Sequence, residues 1–399
     1  MTATATNTET KALLEPPKFQ GAPKAEKIVT VARQYGVSPL RQWREMTALW
    51  LGKTRIPTHE YYNFGLYDPA IPMEEKKQYV GIKGSWLINK ELTPKTLPWA
   101  RGFVGNKVMF TSLIDRLGFR TTETQAVVST RSRFGAIPTL DTPEALEHFL
   151  RHDARYPLFG KPSNYSGSFG SALIDRLEGD EIVLGDDRRL GLDAFCREII
   201  AEYGEGYLLQ SAIEQNRAMT EMVGRAIGTI RLVTIRDGAM PRPFYALWKI
   251  PSPKAMSDNF WQDGSMIAPV EMETGQVGQA WIGTGLDARS IDSHPVSGRA
   301  FAGFALPFWD EARRMATEAH ALFPEFGVIG WDVAFTEEGP LLIECNDNPF
   351  HTLYQMAFRR GIWNDDTRPV LERTIARSKV MMDEKKAVRK RREDKRKRS

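Results

Sequence analysis

Residues 327–349 read GVIGWDVAFTEEGPLLIECNDNP. Two apolar runs flank Glu337-Glu338-Gly339, and a three-residue connection with Gly in the left-handed position is a favoured hairpin turn. That register sets Thr336 opposite Pro340 and, four steps back along each arm, Asp332 opposite Glu344. Alternation along a strand puts Asn346 on the Glu344 face and Cys345 on the other. Oxygen ligands from Asp332, Glu344 and Asn346 thus converge on one side of an apolar hairpin. A hard cation such as Mg²⁺ takes such a set, leaving its other positions to water and phosphate. The competing reading is an edge strand that carries polar residues by chance. It ranks lower, because two carboxylates buried among Val, Ile and Leu without a cation are costly.

Upstream lie weaker signals of the same kind. Residues 159–170, FGKPSNYSGSFG, end a strand on Lys161 and return through a small-residue loop. Backbone N–H groups and hydroxyls of such a loop can approach an oligophosphate while the lysine supplies a point charge. No Walker spacing occurs, and an ordinary Gly/Ser hairpin would look the same. Gly105-Asn106-Lys107 opens a helix, placing a lysine at the end that favours anions. Tyr207 to Glu214, YLLQSAIE, is a strand running into a bend, as any buried strand end could be. In Gly228 to Thr234, GTIRLVT, alternation groups Thr229, Arg231 and Val233. An Arg among β-branched neighbours suggests anion recognition, and the bland alternative is an Arg snorkelling to the surface.

Around these motifs the texture is α+β with largely antiparallel sheets. Residues 1–27 read as a loose, polar leader. Ser38-Pro39 starts a helix in which Leu40, Trp43, Met46 and Trp50 recur at helical spacing. Residues 57–72 look like a packed extended segment, and 93–99 like a linker. This organisation gives a helical region over 28–100, an α+β domain over 101–375 and a basic tail over 376–399.

The chain has 399 residues, 42% of them hydrophobic and 26% charged, which excludes a disordered or fibrous protein. Residues 384–399 hold ten Lys or Arg against Glu384, Glu393 and Asp394, so the +4 total charge leaves the rest of the chain at −3. The body therefore shows no bias toward nucleic acid, and the tail offers only weak contact with a membrane surface. Two cysteines far apart in sequence, Cys196 and Cys345, give neither a disulfide framework nor a metal knuckle. No apolar run reaches the ~20 residues of a membrane span, and no secretory signal is seen, so a cytoplasmic protein is expected.

Taken together in this order, the motifs resemble the ATP-grasp superfamily over roughly residues 102–355, most specifically in Asp332, Glu344, Asn346 and Pro349. The wording GTIRLVT and GWDVAFTEEGPLLIECNDNP, with a helical N-terminal piece, looks like the sugar-transfer-associated ATP-grasp group, which is linked to cell-surface polysaccharide genes. The resemblance implies two α+β lobes clamping ATP. Lys107 and Lys161 would contact phosphates, and Ser166, Gly167, Ser168 and Gly170 would belong to the loop that folds over them. Gln210, Ser211, Ala212 and Ile213 would form the hinge that holds adenine, with Glu214 near the ribose. Asp332, Glu344 and Asn346 would bind two Mg²⁺ ions, with Mn²⁺ as an alternative, and Arg231 would steady an acyl phosphate. Phe350 stands where many relatives have Gly, and Gln210 where an acid is common.

The implied reaction is ligation of a carboxylate to an amine, each a small molecule or glycan-linked, with ADP and phosphate as products. A phosphotransferase and a non-catalytic nucleotide-binding scaffold are the competing readings. Cys345 is expected to pack in the core. His351 is the one histidine considered near substrate, and Trp261 the one tryptophan held open for the acceptor.

Overall fold

The structure, a computed structural model, describes residues 24–93, 98–163, 170–253, 255–258 and 263–398. Two seven-stranded sheets dominate it. The first contains β1 (Thr124–Val128), β2 (Thr139–Leu140), β3 (Leu158–Pro162), β4 (Ala172–Glu178), β5 (Glu181–Leu184), β6 (Arg189–Gly191) and β7 (Tyr207–Ser211), in the order β2-β1-β7-β3-β4-β5-β6. All its pairs are antiparallel except β1 with β2. The second contains β8 (Ile230–Ile235), β9 (Arg242–Ile250), β10 (Met266–Val270), β11 (Ala280–Ile282), β12 (Arg289–Ile291), β13 (Val328–Thr336) and β14 (Gly339–Asn346), in the order β12-β11-β10-β9-β8-β13-β14. It is antiparallel throughout.

Both faces of the second sheet are covered, which is why β8 and β13 read as nearly unbroken apolar runs. One face sets Ile230, Leu232, Trp248 and Trp331 against Phe110 and Ile114 of the helix Lys107–Arg116 and against the helix Trp309–Ala321. The opposite face, through Val233, Ile235, Leu247 and Val328, packs on the N-terminal helices and on Leu371 and Ile375 of the C-terminal helix Arg368–Arg398. On the first sheet, Leu146 and Phe149 of the helix Pro143–His152 and Phe195 and Ile199 of the helix Leu192–Tyr203 share a core with Ala126, Leu158 and Leu209. Val108 meets Val127 and Leu208 on that sheet's other face. The helix Lys107–Arg116 therefore touches both sheets and carries its first residue to their junction.

The local signals hold in most places. Ser38 caps the helix Pro39–Leu51, its Oγ accepting from the Arg41 N–H at 3.3 Å. Asn106 caps Lys107–Arg116 in the same way at 3.1 Å, so that helix begins at Lys107, not at Gly105. Residues 57–72 are not extended. They hold the helix Thr58–Asn63, whose Tyr61 and Tyr62 are buried and donate to Glu45 and Gln42, each at 2.8 Å.

The β13–β14 hairpin has a different turn from the one the spacing predicts. Thr336 pairs with Gly339 and Phe335 with Pro340, so only Glu337 and Glu338 form the connection, and Gly339 takes φ +118°. Left alone, that register would set Asp332 opposite Ile343. A bulge between Asp332 and Val333 absorbs the extra residue, and Asp332 pairs with Glu344 after all.

Candidate active site

A cavity of about 1140 Å³ lies between the two sheets, lined from β3, β7, β8, β13 and β14 and from the segments that follow them. Its floor is a cross-strand row. Arg231 on β8 pairs with Asp332 on β13, which pairs with Glu344 on β14. Cross-strand partners share a face, so these charges point into the cavity together. Asn346, two residues past Glu344, lines it too. Cys345 points the other way into the core, where burial raises its thiol pKa well above the ordinary value.

Asp332 is held by two cations. Arg231 Nε donates to Oδ1 at 2.6 Å and Nη2 to Oδ2 at 3.3 Å, while Lys249 Nζ donates to Oδ2 at 3.2 Å. Burial alone would raise the Asp332 carboxyl, but Arg231 and Lys249 outweigh it and hold it well below the usual carboxylate range. Lys249 also pairs with Asp258 at 2.9 Å, and Asp258 accepts from the Thr229 hydroxyl. Burial depresses the Lys249 ammonium, yet Asp258 and Asp332 reverse this and leave it above its ordinary value. The Arg231 Nη1 is buried with no hydrogen-bond partner, although unpaired buried donors are rare.

Lys107 and Lys161 stand over this row. Lys107 Nζ lies 3.4 Å from Glu344 Oε1 and donates to Ser163 O at 3.3 Å, bridging the sheets. Lys161 is buried, and desolvation brings its pKa down to about 8 despite the nearby Glu344 carboxylate.

The hinge segment also lines the cavity, through Gln210, Ser211, Ala212, Ile213 and Glu214. Its inner bonds are partly used. Gln210 Nε2 donates to Thr122 and Thr124 hydroxyls at 2.8 and 3.1 Å, Ser211 N–H to Glu123 O at 2.9 Å and Ala212 N–H to Pro157 O at 3.0 Å. Those two amides are thus not offered to the cavity. Gly170 is not on the cavity wall. It sits at φ +70°, where a Cβ would fall 2.5 Å from the Tyr203 ring. Ser166, Gly167, Ser168 and Trp261 lie outside the described residues.

One further position differs from expectation. His351 is fully buried, between Tyr245 OH and Asn89 Oδ1, each 2.9 Å away, and burial takes its imidazole down to about 3. It is a neutral structural group, not an acid or base. Lys249 and Asp258 were missed, although the signal was present: Lys249 interrupts the apolar run ALWKI just as Arg231 interrupts GTIRLV.

A family model described as sugar-transfer associated ATP-grasp matches residues 89–369. The chain belongs to this family. Among solved structures, this ATP-grasp chain is similar to the D-alanine-D-alanine ligase from Coxiella burnetii at 12% identity and TM-score 0.41, over 74% of this chain and 62% of that one. It is similar to the D-alanine-D-alanine ligase from Helicobacter pylori at 13% identity and TM-score 0.40, over 69% and 61%. The N5-carboxyaminoimidazole synthase from Aspergillus clavatus, in complex with ADP, matches at 10% identity and TM-score 0.37, over 71% and 57%. The chain thus spans about three fifths of the length of the two D-alanine-D-alanine ligases. Nothing among curated protein sequences matches it.

Proposed function

We propose that this ATP-grasp protein is an ATP-dependent carboxylate–amine ligase. The observation that carries the reading is the convergence of Lys107, Lys161, Arg231 and Lys249 on one end of a cavity whose wall also presents Glu344 and Asn346. Arg231 and Lys249 are paired with Asp332 and Asp258, and Lys107 sits 3.4 Å from Glu344. Four cations against three carboxylates leave one positive charge in excess, centred on Lys107 and Lys161, which suits an oligophosphate; positioning with charge neutralisation is what phosphoryl transfer requires.

In this reading the triphosphate lies under Lys107 and Lys161, and the base lies against Ile213, with Glu214 toward the ribose. A carboxylate oxygen of the acceptor takes the terminal phosphoryl group, and ADP is released. The amine nitrogen then attacks the acyl carbon, and phosphate leaves with the bonding pair as the amine loses a proton. The unpaired Arg231 Nη1 supports a role for Arg231 in holding the acyl oxygens through both steps.

Mg²⁺ fits part of the acidic row. Glu344 is held only loosely by Lys107, at 3.4 Å, and Asn346 lines the same cavity two residues on, where its amide oxygen would face the ion. These two would hold the ion. Asp332 would complete the set by giving up one of its two cations. The bound ion would supply charge neutralisation of the phosphates.

The family description supports a link to sugar transfer; the substrates in this reading come from cell-surface polysaccharide or related metabolism, free or glycan-linked, and the site of action is cytoplasmic. The test is incubation with ATP, Mg²⁺ and a pool of amino acids, amino sugars and small carboxylic acids, following free phosphate and product mass together. Substrate-dependent phosphate with a condensed product is the expected result. Phosphate retained on the acceptor would replace the ligase by a phosphotransferase.

A further inference from the structure

The helix Pro39–Leu51 is built with its polarity reversed. Its inward face carries Gln42, Glu45 and Leu49, all buried, while Leu40, Trp43, Arg44, Trp50 and Leu51 share the outward face. Trp43 is 60% exposed and Leu51 70%. The reversal is fixed by satisfied bonds beneath. Gln42 Nε2 donates to Val37 O at 2.8 Å and Ile28 O at 3.1 Å, and Glu45 accepts from Lys76 Nζ and Tyr61 OH, each at 2.8 Å. The helix therefore cannot roll over to hide its tryptophans without burying polar groups unpaired.

A second helix, Ile82–Leu92, also leaves Ile82, Trp86 and Leu87 exposed, and the loop before it meets the loop after the first helix, the Thr54 carbonyl accepting from the Gly81 N–H at 3.0 Å. Scattered exposed apolar side chains are ordinary, but four along one face of a single helix, two of them Trp, mark an interaction face.

The charges around this face have one sign. From residue 38 to 56 the exposed charged side chains are Arg41, Arg44, Lys53 and Arg55; the one acid, Glu45, is turned inward and pairs with Arg41 at 3.0 Å, which leaves Arg44, Lys53 and Arg55. Lys83 is exposed beside Ile82, and Glu91, at the far end of that helix, is its only acid. The C-terminal helix packs on the same element, Ser378 Oγ donating to Leu92 O, and then runs on into the basic stretch after Glu384. A second copy of this face would set cations against cations. Tryptophans at a water–hydrocarbon boundary, with Lys and Arg reaching toward phosphates, are instead the chemistry of a helix lying in a bilayer interface.

We propose that this face docks the protein on the surface of an anionic lipid bilayer, with Leu40, Trp43, Trp50 and Leu51 inserted and the basic flanks and C-terminal helix against the headgroups. The proposal stands independently of the ligase reading. It is tested by sedimenting the full chain with vesicles of phosphatidylcholine alone and of phosphatidylcholine with phosphatidylglycerol. Binding to the anionic vesicles is expected, with a blue shift of tryptophan fluorescence and weakening by salt. The double variant Trp43→Ser, Trp50→Ser should keep the wild-type melting temperature, because both side chains are exposed, and bind about tenfold or more weakly. Absence of binding to anionic vesicles would overturn the proposal. Equal binding by the double variant would also overturn it, assigning the attraction to the basic tail alone. A dimer lost in the double variant, without vesicle binding, would give the face to a second copy.

Discussion

Glu344 and Lys161 are the residues on which the chemistry can be tested most sharply. Glu344→Gln keeps the size and one oxygen but removes the charge opposite Lys107. ATP turnover should fall by about a hundredfold or more while the circular-dichroism spectrum and melting temperature stay unchanged. Unchanged turnover would remove Glu344 from the metal set. Lys161 gives a pH prediction. Burial lowers its pKa to about 8, so the free enzyme loses the ammonium as pH rises through that value. ATP affinity should fall over the same range, and binding near pH 8 should take up a proton, because phosphate beside the lysine favours its charged form. Calorimetry in buffers of different ionisation enthalpy reads that proton directly, and Lys161→Arg should flatten the profile.

The site residues were legible in the sequence mainly for one reason: a charge inside an apolar run must be explained by a partner. The rule points to Arg231, Asp332 and Glu344, whereas Asn346 follows from alternation along the strand and Lys161 from the small-residue loop after it. Applied to ALWKI, it would have found Lys249. It could not separate His351 from a substrate group, because its neighbours Tyr245 and Asn89 lie 106 and 262 positions away.

At the scale of elements, the β13–β14 hairpin shows how a correct pairing can follow from an incorrect turn. The three-residue connection and the observed two-residue connection with a bulge both bring Asp332 to Glu344, since one residue is gained in either case. Bulges lack a reliable sequence signature, so their place had to come from the structure. The bulge also puts Ile343 on the cavity wall beside Glu344. On β9, separated from the hairpin by β8, Lys249 neutralises Asp258 and Asp332 together. Lys249→Ala would leave both carboxylates with less compensation and should lower stability by about 3 kcal/mol, with part regained in Lys249→Ala, Asp258→Asn. Denaturant unfolding of the two variants measures the difference.

Across the whole molecule, the N-terminal helices form a layer of the second sheet's core, and one side chain carries their influence to the site. Asn89 donates to Asn348 Oδ1 at 2.7 Å and Pro349 O at 2.8 Å, and its Oδ1 meets His351. It thereby fixes the chain just beyond Asn346. Asn89→Ala should cost about 1–3 kcal/mol of stability and slow ATP turnover without touching the nucleotide. The helical character of this layer was legible from Ser38-Pro39 and its periodicity. Its orientation was not, because the apolar stripe that usually marks the inward face points outward here.

The central claim, that the cavity between the sheets binds the triphosphate of ATP through its lysines and Glu344, is tested most directly by equilibrium titration with ATP, with and without Mg²⁺, on the wild type and Lys161→Met. The account predicts saturable binding that Mg²⁺ strengthens and that Lys161→Met weakens by about tenfold or more. Absence of ATP binding by the wild type, or equal binding by the variant, would contradict it.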